Sequence, residues 1–221
     1  GNDTLSKETS YTFKVLQDTS ITANFVRQYH VGLTANPSSG GSVTGGGNYE
    51  SGNDVTVNAS PSAGYAFESW TSGGDTLSTD TTYSFTVKQD TSLTANFTAQ
   101  YDVVLSANPS NGGTITGGGT YEVGSEVNLE ASSAEGYVFN AWTSDGDTLS
   151  ADSSCTFTVK QDTSITANFI REHDVILTAD PSDGGNVNGG GTYEEGTEAT
   201  IEAISASGYV FDSWTAGGDT L

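Results

Sequence analysis

The side chains most suited to binding a metal ion are the carboxylates of a repeated polar loop. Ser144-Asp145-Gly146-Asp147 is followed by Asp152, and an earlier copy of the loop contains Asp75 and Asp80. Calcium takes about 6–8 oxygen ligands, so loops rich in such oxygens suit it. The spacing is that of neither an EF-hand nor a nonapeptide repeat. We therefore expect a polar loop without a cofactor, with calcium as the alternative. The calcium candidates are Asp75, Asp80, Asp145, Asp147 and Asp152.

The reactive side chains that a catalytic site would need do not recur from copy to copy. His30 and His173 do not occupy equivalent positions of the repeat, which excludes a repeated histidine site. Cys155, the only cysteine, stands where other copies have Tyr11 and Tyr83, so we interpret it as a passive strand residue. Glycine triplets precede strands and no lysine follows them, which favours turns over phosphate binding; the triplets are 45–47, 117–119 and 189–191. We expect no catalytic residues and no enzymatic activity.

Net charge limits the classes of partner. The 221 residues include 28 Asp and Glu against 6 Lys and Arg, giving a formal charge of −22. Nucleic acids and anionic membranes bind cationic surfaces, so neither is an expected partner. No apolar run approaches the roughly 20 residues of a membrane-spanning helix, so membrane insertion is not expected.

An aromatic motif organises the chain. Residues 136–142 read G-Y-V-F-N-A-W, and the pattern G-Y-x-F-x-x-W recurs at 64–70 and 208–214. The three tryptophans of the chain all belong to this motif and lie 72 residues apart. A fixed period of this length is the signature of a repeat architecture. We predict that the motif forms structural core rather than a binding site, through Tyr65, Phe67, Trp70, Tyr137, Phe139, Trp142, Tyr209, Phe211 and Trp214.

The repeat divides the chain into four parts. We assign residues 1–28 to the C-terminal part of a repeat, 29–100 and 101–172 to complete repeats, and 173–221 to the N-terminal part of another. An alternative unit runs from one G-x-D-T-L loop to the next, and the sequence leaves both open. No Gly, Pro or Ser-rich linker separates successive copies, so we expect modules to meet directly.

Within each copy the pattern is that of strands. Val103, Leu105 and Ala107 alternate with more polar residues, as in a half-buried strand. Turn residues at 108–113 end this strand. Residues 155–159 and 164–169 read as a hairpin, and 143–153 as a long polar loop. We predict an all-β chain, a tandem array of ~72-residue modules that form an elongated semi-rigid rod.

At these residues the chain resembles the divergent internalin B-type repeat of bacterial surface proteins. The shared patterns are Y-x-V-x-L-x-A-x-P, GG-x-[VI]-x-GGG-x-Y, G-Y-x-F-x-x-W and D-T-[SL]-x-A-N-F. In one copy they are Tyr101, Val103, Leu105, Ala107 and Pro109; 112–113, Ile115, 117–119 and Tyr121; 136–142; and 162–169. The resemblance implies a β-grasp-like module, used in tandem in secreted or wall-attached proteins, and it supplies no catalytic residues.

From repeat and resemblance together we expect a structural segment of a secreted or cell-surface protein. Its role would be that of a stalk, spacer or fibre, and its partners neighbouring repeats of the same or an identical chain, joined head-to-tail into a filament. The alternative is an adhesin module that binds a glycan or a protein. For that role the glycine-flanked Tyr49, Tyr121 and Tyr193 would form a glycan-binding shelf, whereas packing within or between modules is their structural use.

Overall fold

The structure is a computed structural model that describes residues 4–217 and 219–220. No helix occurs in this part of the chain, and strands run through both complete repeats and part of the last copy. The predicted all-β class is confirmed.

Eight strands build the first complete repeat, and the last of them continues into the second. They are Gln28–Asn36 (β1), Gly41–Thr44 (β2), Gly47–Glu50 (β3), Asp54–Pro61 (β4), Tyr65–Ser72 (β5), Asp75–Ser78 (β6), Thr82–Thr86 (β7) and Thr91–Asn108 (β8).

The second repeat repeats this order and ends in another long strand. Its further strands are Gly113–Thr116 (β9), Gly119–Glu122 (β10), Glu126–Ser133 (β11), Tyr137–Ser144 (β12), Asp147–Ser150 (β13), Ser154–Thr158 (β14) and Thr163–Val175 (β15). The last copy contributes Gly185–Asn188 (β16), Gly191–Glu194 (β17), Glu202–Ser205 (β18), Thr215–Ala216 (β19) and Asp219–Thr220 (β20).

Each complete repeat is a sandwich of two small sheets. In the first, a five-stranded sheet has the order β3-β1-β8-β5-β6, and a separate three-stranded sheet has the order β2-β4-β7. In the second, the orders are β10-β8-β15-β12-β13 and β9-β11-β14. The first and last strands of a module lie side by side at the centre of the larger sheet and are parallel.

The core of each module lies between its two sheets. Val31, Trp70 and Leu93 project from the larger sheet of the first module, and Val55 and Val57 from the smaller sheet. The second module has its own buried cluster of the same kind, drawn from residues 103–169. Alternate residues of strands such as β4 and β11 face this interior, as the sequence pattern predicts for sheets covered on one side.

Two local features differ from the sequence prediction. The expected hairpin of residues 155–159 and 164–169 is wrong, because β14 pairs with β11 in the small sheet and β15 pairs with β8 and β12 in the large one. These two strands are consecutive in the sequence but belong to opposite layers of the sandwich. The predicted long polar loop of residues 143–153 contains β13.

The two incomplete copies lack this sandwich. Residues 4–27 form no strand, and their apolar side chains, such as Leu16 and Phe25, are exposed. Residues 176–217 and 219–220 contain only short strands, of which β16 pairs with β18, β19 pairs with β20, and β17 pairs with the end of β15. Within the described residues, the last copy has no counterparts of β14 and β15 to cover its apolar face.

Candidate functional site at the module junctions

The aromatic motif lies in the core of both complete modules. Trp70 and Trp142 are fully buried, and their indole N–H groups donate to the carbonyls of Thr81 and Ser153 at 3.2 and 3.3 Å. Phe139 packs against the Trp142 ring, with 5.7 Å between ring centroids. A buried indole with its N–H hydrogen-bonded contributes both apolar area and a fixed orientation.

The third copy of the motif is placed differently. Tyr209 and Phe211 are 42% and 48% exposed, and Trp214 is partly buried. In the second module, β15 pairs with the motif strand and Phe169 lies at 5.7 Å from Phe139. The described part of the last copy has no strand in that place, so its motif cannot form a core of the same kind.

The acidic loops form tight hairpins. Asp145 lies in the two-residue turn between β12 and β13, where it has a positive φ of 52°, and Asp147 is the first residue of β13. The backbone N–H of Asp152 donates to the Ser150 hydroxyl at 3.0 Å, and that of Asp80 donates to Ser78 in the same way. Among the described residues, no group of three or more His, Cys, Asp or Glu side chains is close enough to hold a metal ion.

The glycine triplets and the tyrosines beside them form one structural unit. Gly117 and Gly119 have positive φ, and a Cβ on Gly118 would lie 3.1 Å from the Val103 carbonyl. The Tyr121 hydroxyl donates to the Gly117 carbonyl at 3.1 Å. Tyr49 and Tyr193 donate to the first glycine of their own triplets in the same way. Through these hydrogen bonds each tyrosine holds its own turn in place instead of projecting from the surface.

The sulfur and imidazole groups show no catalytic arrangement in the described residues. Cys155 is partly buried on β14, and burial, reinforced by the Asp152 carboxylate, raises the pKa of its thiol. A raised pKa disfavours the thiolate, which is the reactive form. His30 contacts the Asn48 side chain at 3.0 Å, and His173 lies 3.8 Å from Glu195.

Sequence reasoning missed how the ends of a module pair. Residues 33–36 and 93–96 have the same sequence, L-T-A-N, and the structure places them side by side in parallel register. In the second module, L-S-A-N at 105–108 lies in register with I-T-A-N at 165–168. The signal that could have revealed this pairing is the near-identity of two tetrapeptides 60 residues apart within each copy.

Asparagines join three strands at one end of this pairing. The Asn108 amide donates to Asn168 Oδ1 at 3.1 Å. The Asn168 amide donates in turn to Thr143 Oγ1 at 2.9 Å and to the Ala141 carbonyl at 3.3 Å. These contacts span β8, β15 and β12 where β12 has a register shift between Phe139 and Ala141. Asn168 thus fills the irregularity that a β-bulge introduces.

At the opposite end of the same strand pair, an aspartate side chain accepts a backbone hydrogen bond from the neighbouring strand. The Asp102 backbone N–H donates to Asp162 Oδ1 at 2.9 Å, and that of His30 donates to Asp90 Oδ1 at 2.8 Å. Between the two ends, Ser106 and Thr166 hydroxyls are 3.0 Å apart. Side-chain hydrogen bonds therefore reinforce the backbone ladder along its length.

The junction between modules is a continuous stretch of strand that is hydrogen-bonded along both of its edges. Ala99 pairs with Tyr65 of the first module, and the Gln100 N–H donates to the Gly64 carbonyl at 2.8 Å. On the other edge, Gln100 and Tyr101 pair with strand β10 of the second module. The next junction repeats this arrangement, with Arg171 paired to Tyr137 and Glu172 paired to β17. Neither junction contains a break in the strand.

The comparison with family models identifies the repeat. The model of the divergent InlB B-repeat domain matches residues 31–101, 103–173 and 175–221. The chain belongs to this family. Domains of the InlB B-repeat type occur in bacterial surface or secreted proteins. No curated protein matches the chain.

The matched segments of the divergent InlB B-repeat domain meet within β8 and β15, at the two junctions described above. Each junction has a shallow groove beside it. The first, of about 520 Å³, is lined by Tyr65, Tyr101, Asp102 and neighbouring residues, and the second includes Tyr137, Arg171 and Glu195. No helix in the described residues is long and apolar enough to cross a membrane.

Proposed function

We propose that these divergent InlB B-repeat domains form a structural spacer, a stalk or fibre segment of a secreted or cell-surface bacterial protein. The observation that supports this role best is the doubly paired junction. Residues 98–102 of β8 are hydrogen-bonded to the first module on one edge and to the second on the other. Bending there would break backbone hydrogen bonds on at least one side.

Strand chemistry and charge both favour an extended array. Residues 97–103 contain no glycine or proline, so the backbone has no permissive hinge position. The formal charge of −22 lies on residues 29–221, because the three acidic and three basic side chains of residues 1–28 cancel, and it makes neighbouring modules repel one another. A linear arrangement keeps these charges apart, and a folded-back arrangement would bring them together.

The parallel register sets the length contributed by each module. Val103 lies opposite Thr163, so residue 173 lies about twelve strand positions beyond residue 101. With a rise of about 3.3 Å per residue, each module advances the array by about 40 Å. A spacer built this way gains length in proportion to its repeat number.

The rod prediction is tested by small-angle X-ray scattering of the chain and of a variant with Gly-Ser-Gly-Ser inserted between Gln100 and Tyr101. The chain should scatter as a rod, and the insertion should increase flexibility while circular dichroism and the melting temperature stay nearly unchanged. A matched control carries the same insertion in the exposed loop at Gly73-Gly74, which should leave the rod signal intact. Identical curves for both insertions would reject the stiff junction.

The predicted head-to-tail partner is a second copy of this chain. Residues 10–28 align with 154–172, the segment that forms β14 and the paired part of β15 in the second module. Phe25, the counterpart of the buried Phe169, is 92% exposed, and Phe211, the counterpart of the core-packed Phe139 in the last copy, is 48% exposed. In the proposed filament, residues 10–28 of one copy supply the two strands for which the described residues of another's last copy have no counterpart, and unpaired strand edges of this kind template such additions.

Completion within one chain conflicts with the straight array proposed above. If residues 10–28 completed the last copy of their own chain, residue 28 would lie about three module lengths, roughly 120 Å, from residue 29. Adjacent Cα atoms are only about 3.8 Å apart. Between chains there is no such conflict, because the completing strand continues directly into β1 of the second copy. This contact is heterologous and does not close, so it generates a filament.

Light scattering across a concentration series, followed by electron microscopy, tests the filament. Mass should rise with concentration, and Phe25→Asp should abolish the rise, since Phe25 corresponds to the buried Phe169. Val104→Asp is the matched control, because Val104 is exposed on a strand that is already paired. A monomer at every concentration would reject the filament and leave the single rod.

The second candidate function is adhesion, and the junction grooves favour it. They combine tyrosine with polar and charged side chains, and their linings differ between the two junctions. Such a surface would bind a glycan or a protein. A glycan array with the chain and its Tyr101→Ala variant tests this role. Binding lost in the variant would support adhesion, and absence of binding would favour the spacer.

A further inference from the structure

We propose that the paired end strands of each complete module act as a shear clamp, which resists tension applied along the chain. The shear clamp consists of residues 31–36 with 91–96 in the first module and 103–108 with 163–168 in the second. This proposal rests on the proposed spacer function and adds a mechanical activity to it.

The direction of the two strands determines how tension loads them. Tension enters the second module at residue 101, at the start of its first strand, and leaves at residue 172, at the end of its last strand. Because the strands are parallel, these points lie at opposite ends of the pair. Pulling on them slides one strand along the other, so that all the hydrogen bonds between Val103–Asn108 and Thr163–Asn168 are loaded together.

The module would withstand much less force if tension were applied in the other geometry. If tension were applied at the same end of both strands, the hydrogen bonds would open one after another, each at low force. Forced unfolding is governed by the barrier to unfolding rather than by equilibrium stability. Simultaneous rupture has the higher barrier because no partial opening relieves the remaining bonds.

Side chains reinforce the shear clamp at both ends. Asp162 accepts the Asp102 N–H at one end, and Asn168 accepts the Asn108 amide at the other. The first module has the same pair of contacts, at Asp90 and Asn96. Both asparagine contacts and both aspartate contacts cross between the two strands that tension would slide, so they resist the same motion as the backbone ladder.

The core excludes water from one face of the shear clamp. Val103, Ile165 and Ala167 are buried in the second module, and their counterparts Val31, Leu93 and Ala95 are buried in the first. Water that competes for backbone groups can therefore approach from one side only. The described residues of the last copy contain no parallel pair of end strands. This copy should therefore extend at low force, and it serves as a reference within the same molecule.

Tension also passes between modules without leaving the strand. The last strand of the first module and the first strand of the second are the same element, β8. The junction is held by β5 and β10 on its two edges, so pulling does not peel it from either module. The two shear clamps are thus arranged in series along one continuous path.

Single-molecule force spectroscopy of the whole chain, held at its two ends, tests the proposal. We expect two high-force events, one for each complete module, and only low-force extension from the remaining residues. Each event should release about 200 Å, since about 65 residues between the ends of a clamp span about 220 Å when extended and the folded ends are already about 20 Å apart. Unfolding of both modules at the low force of the last copy would overturn the proposal.

A change of pulling direction provides the decisive comparison. In a Cys155→Tyr background, Gln161→Cys places a handle at the start of β15, beside the point where tension enters the module. Pulling between the N-terminus and this handle should open the second module at a several-fold lower force. The first module, still pulled in shear, is the control within the same molecule. Equal forces for the two modules would refute the clamp.

The same measurements separate this proposal from the spacer function. Rod-like scattering with no dependence on pulling direction would leave the spacer and reject the shear clamp. Direction dependence in a chain that is flexible at its junctions would establish the clamp and reject the stiff spacer. Asn168→Ala should lower the rupture force of the second module alone. An unchanged force would show that Asn168 does not contribute to the mechanical resistance.

Discussion

Removing the Asn168 side chain is the sharpest test of how a module holds its three central strands together. Asn168→Ala deletes the hydrogen bond accepted from Asn108, those donated to Thr143 and Ala141, and a longer contact of 3.5 Å to the Thr166 carbonyl. A protein hydrogen bond contributes about 1 kcal/mol net, and Asn168 is half-buried. We therefore expect the second module to lose about 2 kcal/mol of its free energy of unfolding.

Hydrogen exchange followed by peptide mass spectrometry measures this loss module by module. A loss of 2 kcal/mol corresponds to about 30-fold faster exchange of the slowest amides in β12 and β15. Peptides from β5 and the first half of β8 should be unchanged, because the first module has its own network at Asn96.

The matched control is Asn128→Ala. Asn128 lies on the outer face of β11, is exposed, and accepts one hydrogen bond from Thr156. Exposed substitutions of this kind change stability by about 0.5 kcal/mol or less. If the two variants accelerate exchange equally, the proposed role of Asn168 is refuted.

Four further predictions concern a buried tryptophan, a glycine beside the core, the Cys155 thiol and calcium binding. Trp142→Ala should cost about 3–5 kcal/mol in urea unfolding, because it empties a buried site, whereas Trp214→Ala should be nearly neutral at concentrations where the chain is monomeric. Gly113→Ala should cost about 1–3 kcal/mol in the same assay, since the added Cβ would lie 2.6 Å from the Phe169 ring. Iodoacetamide should alkylate Cys155 more slowly near neutral pH than it alkylates a free cysteine, and the rate should rise at higher pH, because the pKa of the thiol is raised. Chelator should leave the melting temperature unchanged if the acidic hairpins hold no calcium, and a lowered melting temperature would contradict this expectation.

Much of the architecture could be predicted from local patterns. Alternation of apolar and polar residues identified the strands around Val103 and Leu129, and the 72-residue period identified the array. Turn chemistry placed the bends correctly at the glycine triplets, where positive φ values require glycine. These features depend on neighbouring residues, so they can be read without knowledge of the rest of the fold.

Pairing between distant strands could not be read in the same way. Two strands close in sequence, β14 and β15, suggested a hairpin, yet they lie in different sheets. The connection between them crosses the core at Val159, which is fully buried, rather than turning back within one sheet. Alternation shows which face of a strand is apolar, but it does not show which strand lies beside it.

The contrast between copies shows how strongly the aromatic motif depends on tertiary structure. The same G-Y-x-F-x-x-W pattern buries Trp70 and Trp142 completely but leaves Phe211 exposed. In the second module, the ring of Phe169 packs directly against Gly112 and Gly113, which have no Cβ to exclude it. In the last copy the described residues contain no such ring, and Gly184 instead faces Pro181.

The sequence by itself determined the all-β class, the period of the repeat and the identity of the core residues in the complete copies. These follow from local propensity and from the burial of apolar side chains, which alternate along each strand. Only the tertiary structure decided that the first and last strands of a module lie in parallel and that one strand serves two modules. Strand pairing depends on which hydrogen-bonding edges meet in space, and backbone N–H and C=O groups are the same in every residue except proline. The mechanical properties proposed for this chain therefore depend on topology, which no single motif encodes.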